Sequence, residues 1–375
     1  MARYAKSLPE TPEELSREWL SDVLGHAIER LDRSDLGEGV GFMGDVLKLE
    51  YTGAGQSGAL VAKLPKKANR VMGELLGVYE REIMFFRTFA QSMPVRVPKL
   101  IFSAFDTDKG SENQREILAK IDRLPLFMSK LVSGLGNYIA ASKKRRYCLL
   151  IEYLNDMVPG DQLAGLDSAG CAQVLKAIAP MHAAHWNDVS LDQHFWLLPL
   201  NIDTRLRFGM FKQHVDAFAE SAPAGLADKL AWLKANGEML MHTFAEQAPH
   251  TLLHNDLRLD NVVFDGQDCA FIDWQLVRSG PAAYDVAYFL SSALDAQADQ
   301  SQVDELLQLY CDELGQPDYS FSAMRRDYER ALYLILANLS GVDVVQLGDG
   351  RGRAVMDAWF TRLAARLDGI AYPVI

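Results

Sequence analysis

Apolar and polar residues follow two rhythms along the chain: stretches of strand-like and of helical spacing alternate before Gly160, and helical spacing dominates after it. Leu15, Trp19, Leu20, Val23 and Leu24 recur at helical spacing behind Thr11-Pro12-Glu13-Glu14. That tetrad has the form of a capping box with proline at the first helical position, so the chain is predicted to open on an amphipathic helix. Val46 to Tyr51 and Ala59 to Leu64 predict two strands joined across the Gly- and Ser-rich turn Thr52 to Gly58. Leu75, Tyr79, Ile83, Phe86 and Ala90 predict one helix over Gly73 to Ala90, ended by Pro94 and Pro98. Leu100 to Phe105 and Phe127 to Val132 have weaker strand character, whereas the apolar run Tyr147 to Leu154 predicts a central strand. Asn155 to Gly160, with its Pro-Gly, predicts a linker. Beyond it the pattern is helical, most clearly in Gln173 to Trp186 and Ala224 to Gln247. Val262 to Phe264 and Ala270 to Ile272 interrupt it as a hairpin about Asp265-Gly266-Gln267, and helical spacing resumes after Asp285. The expectation is an α+β chain of two lobes, a sheet with one helix over residues 1–154 and a mainly helical part over 155–375.

Composition narrows the functional classes. With 49% hydrophobic and 23% charged residues in 375, disordered, collagenous and coiled-coil chains are excluded. A net charge of -12 argues against nucleic acid or an anionic membrane surface as partner. The run Lys143-Lys144-Arg145-Arg146 is expected to be a solvated turn before a strand. Cys148, Cys171, Cys269 and Cys311 are scattered without a CxxC pair, as reduced core thiols would be. The N-terminal residues lack the apolar stretch of a signal peptide and no apolar run approaches the roughly 20 residues that span a bilayer, so a cytoplasmic address is expected.

Three stretches carry chemistry. Gly39-Val-Gly41-Phe-Met-Gly44 satisfies GxGxxG, and the strand pattern after it, with Val46 in place, fits a phosphate-covering hairpin better than a dinucleotide fold, in which a helix would come next. Glycine there lets backbone N–H groups approach phosphate oxygens; a merely flexible hairpin is the alternative. Such a hairpin predicts a lysine on the next strand, and Lys63 supplies it. A buried ammonium needs a partner, and of Glu74, Glu80 and Glu82 only Glu82 lies on the apolar stripe of the following helix.

His254-Asn-Asp256-Leu-Arg-Leu-Asp-Asn261, followed beyond a hairpin by Ile272-Asp273-Trp274, has the spacing of a kinase catalytic loop. Phosphoryl transfer needs a carboxylate to orient and accept the proton of an attacking hydroxyl, and oxygen ligands to hold magnesium on a triphosphate. Asp256 fits the first role, Asn261 and Asp273 the second. His254 is expected to fix the loop backbone rather than act as acid or base. Asp285 is expected to cap or brace a helix near the loop, with direct substrate contact as the alternative. His182, His185 and Trp186 read as a packed helix, not a metal site.

Together these residues resemble the aminoglycoside phosphotransferase and choline kinase superfamily, which has the protein-kinase-like fold. Leu253 to Asn261, Phe271-Ile-Asp-Trp-Gln275 and Gly280 to Ala287 look most like its ecdysteroid-kinase-like and acyl-CoA-dehydrogenase-associated branches. Most relatives have glycine where this chain has Asn255. The resemblance implies ATP, or GTP in its place, with Mg2+ as cofactors. It also implies a hinge over Leu149 to Leu154, where backbone groups near Glu152 and Leu154 contact the base. No Ala-Pro-Glu segment comes after the second Asp, which points to a small-molecule hydroxyl acceptor rather than a peptide. Diffuse acidity would suit a cationic acceptor, and Trp186, Trp196, Tyr284 and Tyr288 an apolar alcohol or steroid. A non-catalytic nucleotide-binding scaffold and a nicotinamide oxidoreductase are the rival readings.

Overall fold

The computed structural model describes residues 8–36, 44–67, 70–106, 114–124, 145–220, 222–223, 225–341 and 350–375. They form two compact units. The first holds residues 1–93, 97–114 and 130–156, and the second holds 94–96, 115–129 and 157–375.

In the first unit, α1 (Arg17–Leu24) precedes β1 (Arg30–Asp35), β2 (Gly44–Gly53) and β3 (Gln56–Pro65); α2 (Arg70–Leu76) and α3 (Val78–Thr88) come next, then β4 (Leu100–Phe105) and, further on, β5 (Tyr147–Glu152). The five strands make one antiparallel sheet in the order β1-β2-β3-β5-β4. Period-two alternation sends Leu47, Leu49, Leu60, Ala62, Leu64, Cys148 and Leu150 into one core with Trp19 and Leu20 of α1. Lys63, between Ala62 and Leu64, therefore stands on the other face, opposite Leu149 in register.

The fold departs from the sequence expectations here in four places. The Thr11 box opens only a short 3-10 turn, Pro12–Glu14, without a side-chain cap; α1 starts later, where Ser16 accepts from the Trp19 N–H. The helix expected over Gly73 to Ala90 is two helices, because Gly77 takes a left-handed φ of 66° between them. Strand β1 carries four charged residues in six on an exposed edge and so shows no apolar alternation. Arg145 and Arg146 are not a solvated turn: Arg145 pairs with Glu80 at 3.4 Å and Arg146 with Asp106 at 2.9 Å. The expected strand Phe127 to Val132 lies outside the described residues.

The second unit contributes α4 (Gln114–Asp122), which no sequence signal distinguished and whose Asp122 accepts from the Arg205 and Leu206 N–H groups. Then come β6 (Val158–Pro159), α5 (Ser168–Ala184), β7 (Leu198–Pro199), α6 (Thr204–Ala219), α7 (Ala227–Gln247) and β8 (His250–Leu253). The hairpin β9 (Val262–Phe264) and β10 (Cys269–Phe271) turns at Gly266, whose φ is 98°. Short β11 (Arg278–Pro281) leads into α8 (Ala283–Ala293), α9 (Gln300–Leu314), α10 (Phe321–Ser340) and α11 (Arg351–Leu367). Caps start several of these helices: Asp167 on α5, a complete capping box of Asp299 and Gln302 on α9, and Ser320 on α10. Helix α10 is the centre of the unit, packed by α6, α7, α8, α9 and α11. Among the described residues no helix is long and apolar enough to cross a membrane, and all four cysteines are thiols.

Candidate active site

In the first unit the Lys63 ammonium meets Glu82 Oε1 at 2.6 Å, both side chains largely buried. Helical spacing turns only Glu82 inward, yet Glu74 and Glu80 are buried as well. Each has its own cation: Arg70 at 3.2 Å from Glu74 and Arg145 at 3.4 Å from Glu80. Sequence alone could not supply Arg145, which lies 65 positions further along the chain. Gly39 and Gly41 lie outside the described residues. Gly44 opens β2, where a Cβ would come within 3.0 Å of the Leu64 carbonyl, and it leads into strand, not helix. Glu152 ends β5 with its N–H on the Lys99 carbonyl at 2.9 Å; its carboxylate accepts from the Lys99 N–H at 3.1 Å. Leu154 lies half-buried just past the strand.

In the second unit the segment from His254 to Asn261 connects β8 to β9, and Asp285, in the first turn of α8, fixes its start. The fully buried Asp285 carboxylate accepts from the His254 N–H at 2.6 Å and the Asn255 N–H at 2.8 Å. It braces the loop rather than capping a helix. His182 joins the same group, with Nε2 3.3 Å from Asp285 and Nδ1 2.7 Å from the Tyr310 hydroxyl. His254 Nε2 donates to the Ile272 carbonyl at 2.9 Å and the ring packs on Trp274, tying the loop to the segment that carries Asp273. Asn255 holds a left-handed φ of 64°, the conformation in which glycine is the least strained residue.

These braces deliver Asp256 and Asn261 to each other. Asn261 Nδ2 donates to the Asp256 carbonyl at 2.8 Å and to its Oδ2 at 2.9 Å. The Tyr288 hydroxyl donates to Asp256 Oδ1 at 2.8 Å, and Arg258 Nε stands 3.6 Å from that oxygen while its Nη1 pairs with Asp260 at 2.7 Å. Burial pushes the Asp256 carboxyl up; the Arg258 cation opposes this and the nearby Asp273 charge adds to it. Asp273 is also left-handed, at φ 65°, and accepts from Gln275 Nε2 at 3.2 Å. With the amide nitrogen of Asn261 directed at Asp256, the carbonyl oxygen is the atom of that side chain that could ligate a hard cation, and the Asp273 carboxylate is the second oxygen donor that the hairpin carries. Among the described residues no group of three His, Cys, Asp or Glu side chains could hold a metal unaided. One carboxylate and one amide fit magnesium that takes its remaining ligands from phosphate and water.

Several supports carry no sequence signal. Gln162 accepts from the Leu259 N–H at 2.7 Å and donates to the Ser292 carbonyl at 2.6 Å, and Arg362 of α11 donates to the Gln162 and Ser292 carbonyls. Gly160 approaches so closely that a Cβ would lie 2.8 Å from the Leu259 carbonyl. Arg351 reaches Asp260 at 3.0 Å. The bond from Tyr288 had one such signal: the residue stands three positions after Asp285, on the same face of a helix. Of the four aromatic residues considered for an acceptor, Trp186 packs on Tyr319 and Trp196 on His194, while Tyr284 and Tyr288 adjoin one another.

A braced Asp–Asn loop before a hairpin and a second Asp, with a Lys–Glu pair on a separate antiparallel sheet, is the equipment of a kinase-like fold. The chain belongs to the phosphotransferase enzyme family, which it matches over residues 39–331. No curated protein matches it. Among solved structures, choline kinase from Cryptosporidium parvum Iowa II is 13% identical, the match covering 96% of this chain and 92% of that one with a TM-score of 0.51. Plasmodium vivax ethanolamine kinase is 12% identical over 92% of this chain and 84% of its own, also at 0.51. Amicoumacin kinase in complex with AMP-PNP, Ca2+ and Ami is 11% identical over 98% and 96%, again at 0.51. At these identities the likeness establishes the fold, an α+β small-molecule-kinase fold.

Proposed function

We propose that the protein transfers the γ-phosphoryl group of ATP, with Mg2+, to a hydroxyl group of a small molecule, and that within its family it belongs with the ecdysteroid-kinase-like and acyl-CoA-dehydrogenase-associated branches. The observation that carries this reading is the Asp256 carboxylate, held between Asn261 and Tyr288 in a loop that Asp285 braces. Asp256 orients the acceptor hydroxyl and takes its proton as oxygen attacks phosphorus. Asn261 and Asp273 hold magnesium, which neutralises phosphate charge when bound. Lys63, aligned by Glu82, binds the α and β phosphates, and Gly39, Gly41 and Gly44 cover them. Adenine rests at Glu152 to Leu154; since the Glu152 N–H already serves Lys99, that residue offers the base its carbonyl.

The likeness to amicoumacin kinase, solved with AMP-PNP and Ca2+, supports a nucleotide and a divalent cation as cofactors. The test is magnesium-dependent ADP release across aminoglycosides, choline, sugars, homoserine, sterols and aromatic alcohols, with Asp256→Asn as control. General-base assistance is worth about 10² to 10⁴ in rate, so the variant loses most turnover yet keeps the rise in melting temperature that ATP and Mg2+ produce. Near-native turnover by Asp256→Asn would remove that residue from the mechanism. No thermal shift in the wild type would favour a non-catalytic scaffold.

A further inference from the structure

Asp256 is gripped from two elements at once. Asn261, on its own loop, holds Oδ2 at 2.9 Å, and Tyr288, on α8, holds Oδ1 at 2.8 Å. A carboxylate held by a single donor can still swing about its Cβ–Cγ bond; donors on both oxygens from separate elements stop it. We propose that Tyr288 is a positioning residue for phosphoryl transfer, fixing the plane of the Asp256 carboxylate so that its remaining lone pairs face the acceptor hydroxyl. This rests on the kinase reading above.

The tyrosine is itself well placed to do this. It lies one helical turn beyond Asp285, so one helix fixes both the backbone ahead of Asp256, through the His254 and Asn255 N–H groups, and the Asp256 side chain. Its ring meets the Trp359 ring of α11 edge to face at 4.8 Å and lies 5.9 Å from Tyr284. Trp359 is held in turn by its indole N–H on Ser291 Oγ at 3.4 Å. Burial, together with the neighbouring Asp256 charge, raises the Tyr288 phenol well above its ordinary pKa, so the group remains a donor.

The proton balance is simple. The acceptor oxygen forms a bond to the γ-phosphorus, the bond from that phosphorus to the ADP oxygen breaks, and the hydroxyl proton moves to the Asp256 carboxylate. Tyr288 keeps its own proton throughout. It occupies only one of two lone pairs on Oδ1, so the carboxylate retains basic sites.

Tyr288→Phe removes the hydroxyl and leaves the ring against Trp359. A carboxylate misplaced by a fraction of an ångström should cost kcat about tenfold or more, while KM for ATP and the ATP–Mg2+ thermal shift stay at wild-type values. A kcat within twofold of wild type overturns the proposal, as does a fall in kcat matched by an equal loss of ATP binding. A thermal-unfolding cycle of wild type, Tyr288→Phe, Asp256→Ala and the double variant reads the bond without turnover. Tyr288→Phe is expected to lower Tm by about 2 °C or more when Asp256 is present and by almost nothing in the Asp256→Ala background. Equal shifts in both backgrounds overturn it. Wild-type protein with no ADP release sensitive to Asp256→Asn retires the kinase reading; fast Tyr288→Phe enzyme beside an inactive Asp256→Asn enzyme retires the Tyr288 role alone.

Discussion

Replacing Asp285 by alanine should loosen the loop that carries Asp256 without touching any residue assigned to nucleotide or metal. The carboxylate is fully buried and accepts two backbone N–H groups, at 2.6 Å from His254 and 2.8 Å from Asn255. A hydrogen bond to a charged group contributes about 1.5 to 3 kcal/mol, so the two together amount to about 3 to 6 kcal/mol. His182 at 3.3 Å adds little, and removal of a buried charge offsets part of the loss. The expected net cost is about 3 kcal/mol, a large share of the roughly 5 to 15 kcal/mol that ordinary domains possess. Urea denaturation followed by far-ultraviolet circular dichroism reads it, and ADP release should fall in parallel because Asp256 comes directly after Asn255. Asp285→Asn keeps one acceptor oxygen and should lose about half as much. A urea midpoint and turnover unchanged in Asp285→Ala would show that the loop does not depend on this brace.

Three further outcomes rest on individual contacts. Asn255→Gly relieves a left-handed residue and removes an amide oxygen that is buried with no partner among the described residues, so a gain of about 1 kcal/mol in urea denaturation is expected; a loss would show that the amide has a role. Lys63→Met should raise KM for ATP about tenfold or more and destabilise the fold by about 2 kcal/mol, because it takes the 2.6 Å partner from the buried Glu82. Adding Glu82→Leu should restore stability but not ATP affinity, and recovery of both would deny Lys63 a role with phosphate. Burial pushes the Cys148, Cys171 and Cys269 thiols up to about 12 and Cys311 up to about 11. Thiolate is scarce until pH nears those values, so iodoacetamide at about pH 8 should leave the native protein unmodified and alkylate all four in urea, as mass spectrometry would show.

How far the sequence reveals this site depends on whether each contact is local. Asp256, Asn261 and Asp273 share one loop and hairpin, so fixed spacing makes them visible together, and Lys63 is visible because a lone cation interrupts an apolar strand. Glu82 does meet Lys63, but its place on the apolar stripe is not what sets it apart. Helical periodicity ranks Glu74 and Glu80 as outward-facing, whereas Arg70 and Arg145 fold over them and bury them as ion pairs. Periodicity registers which side of a helix faces apolar core; it is blind to charged chain returning from elsewhere. The same limit hides β1, an edge strand whose pairing needs backbone groups and no apolar alternation. It also hides Gln162 and Arg362, whose bonds join residues 97 and 200 positions apart. Asn255 is different, because its surprise is local. Its φ of 64° shows why glycine suits that position, and the chain tolerates asparagine there because its short polar side chain adopts the left-handed region at lower cost than a branched one. The departure from the usual motif therefore changes strain in the loop while Asp285 still receives both N–H groups that set the direction of Asp256.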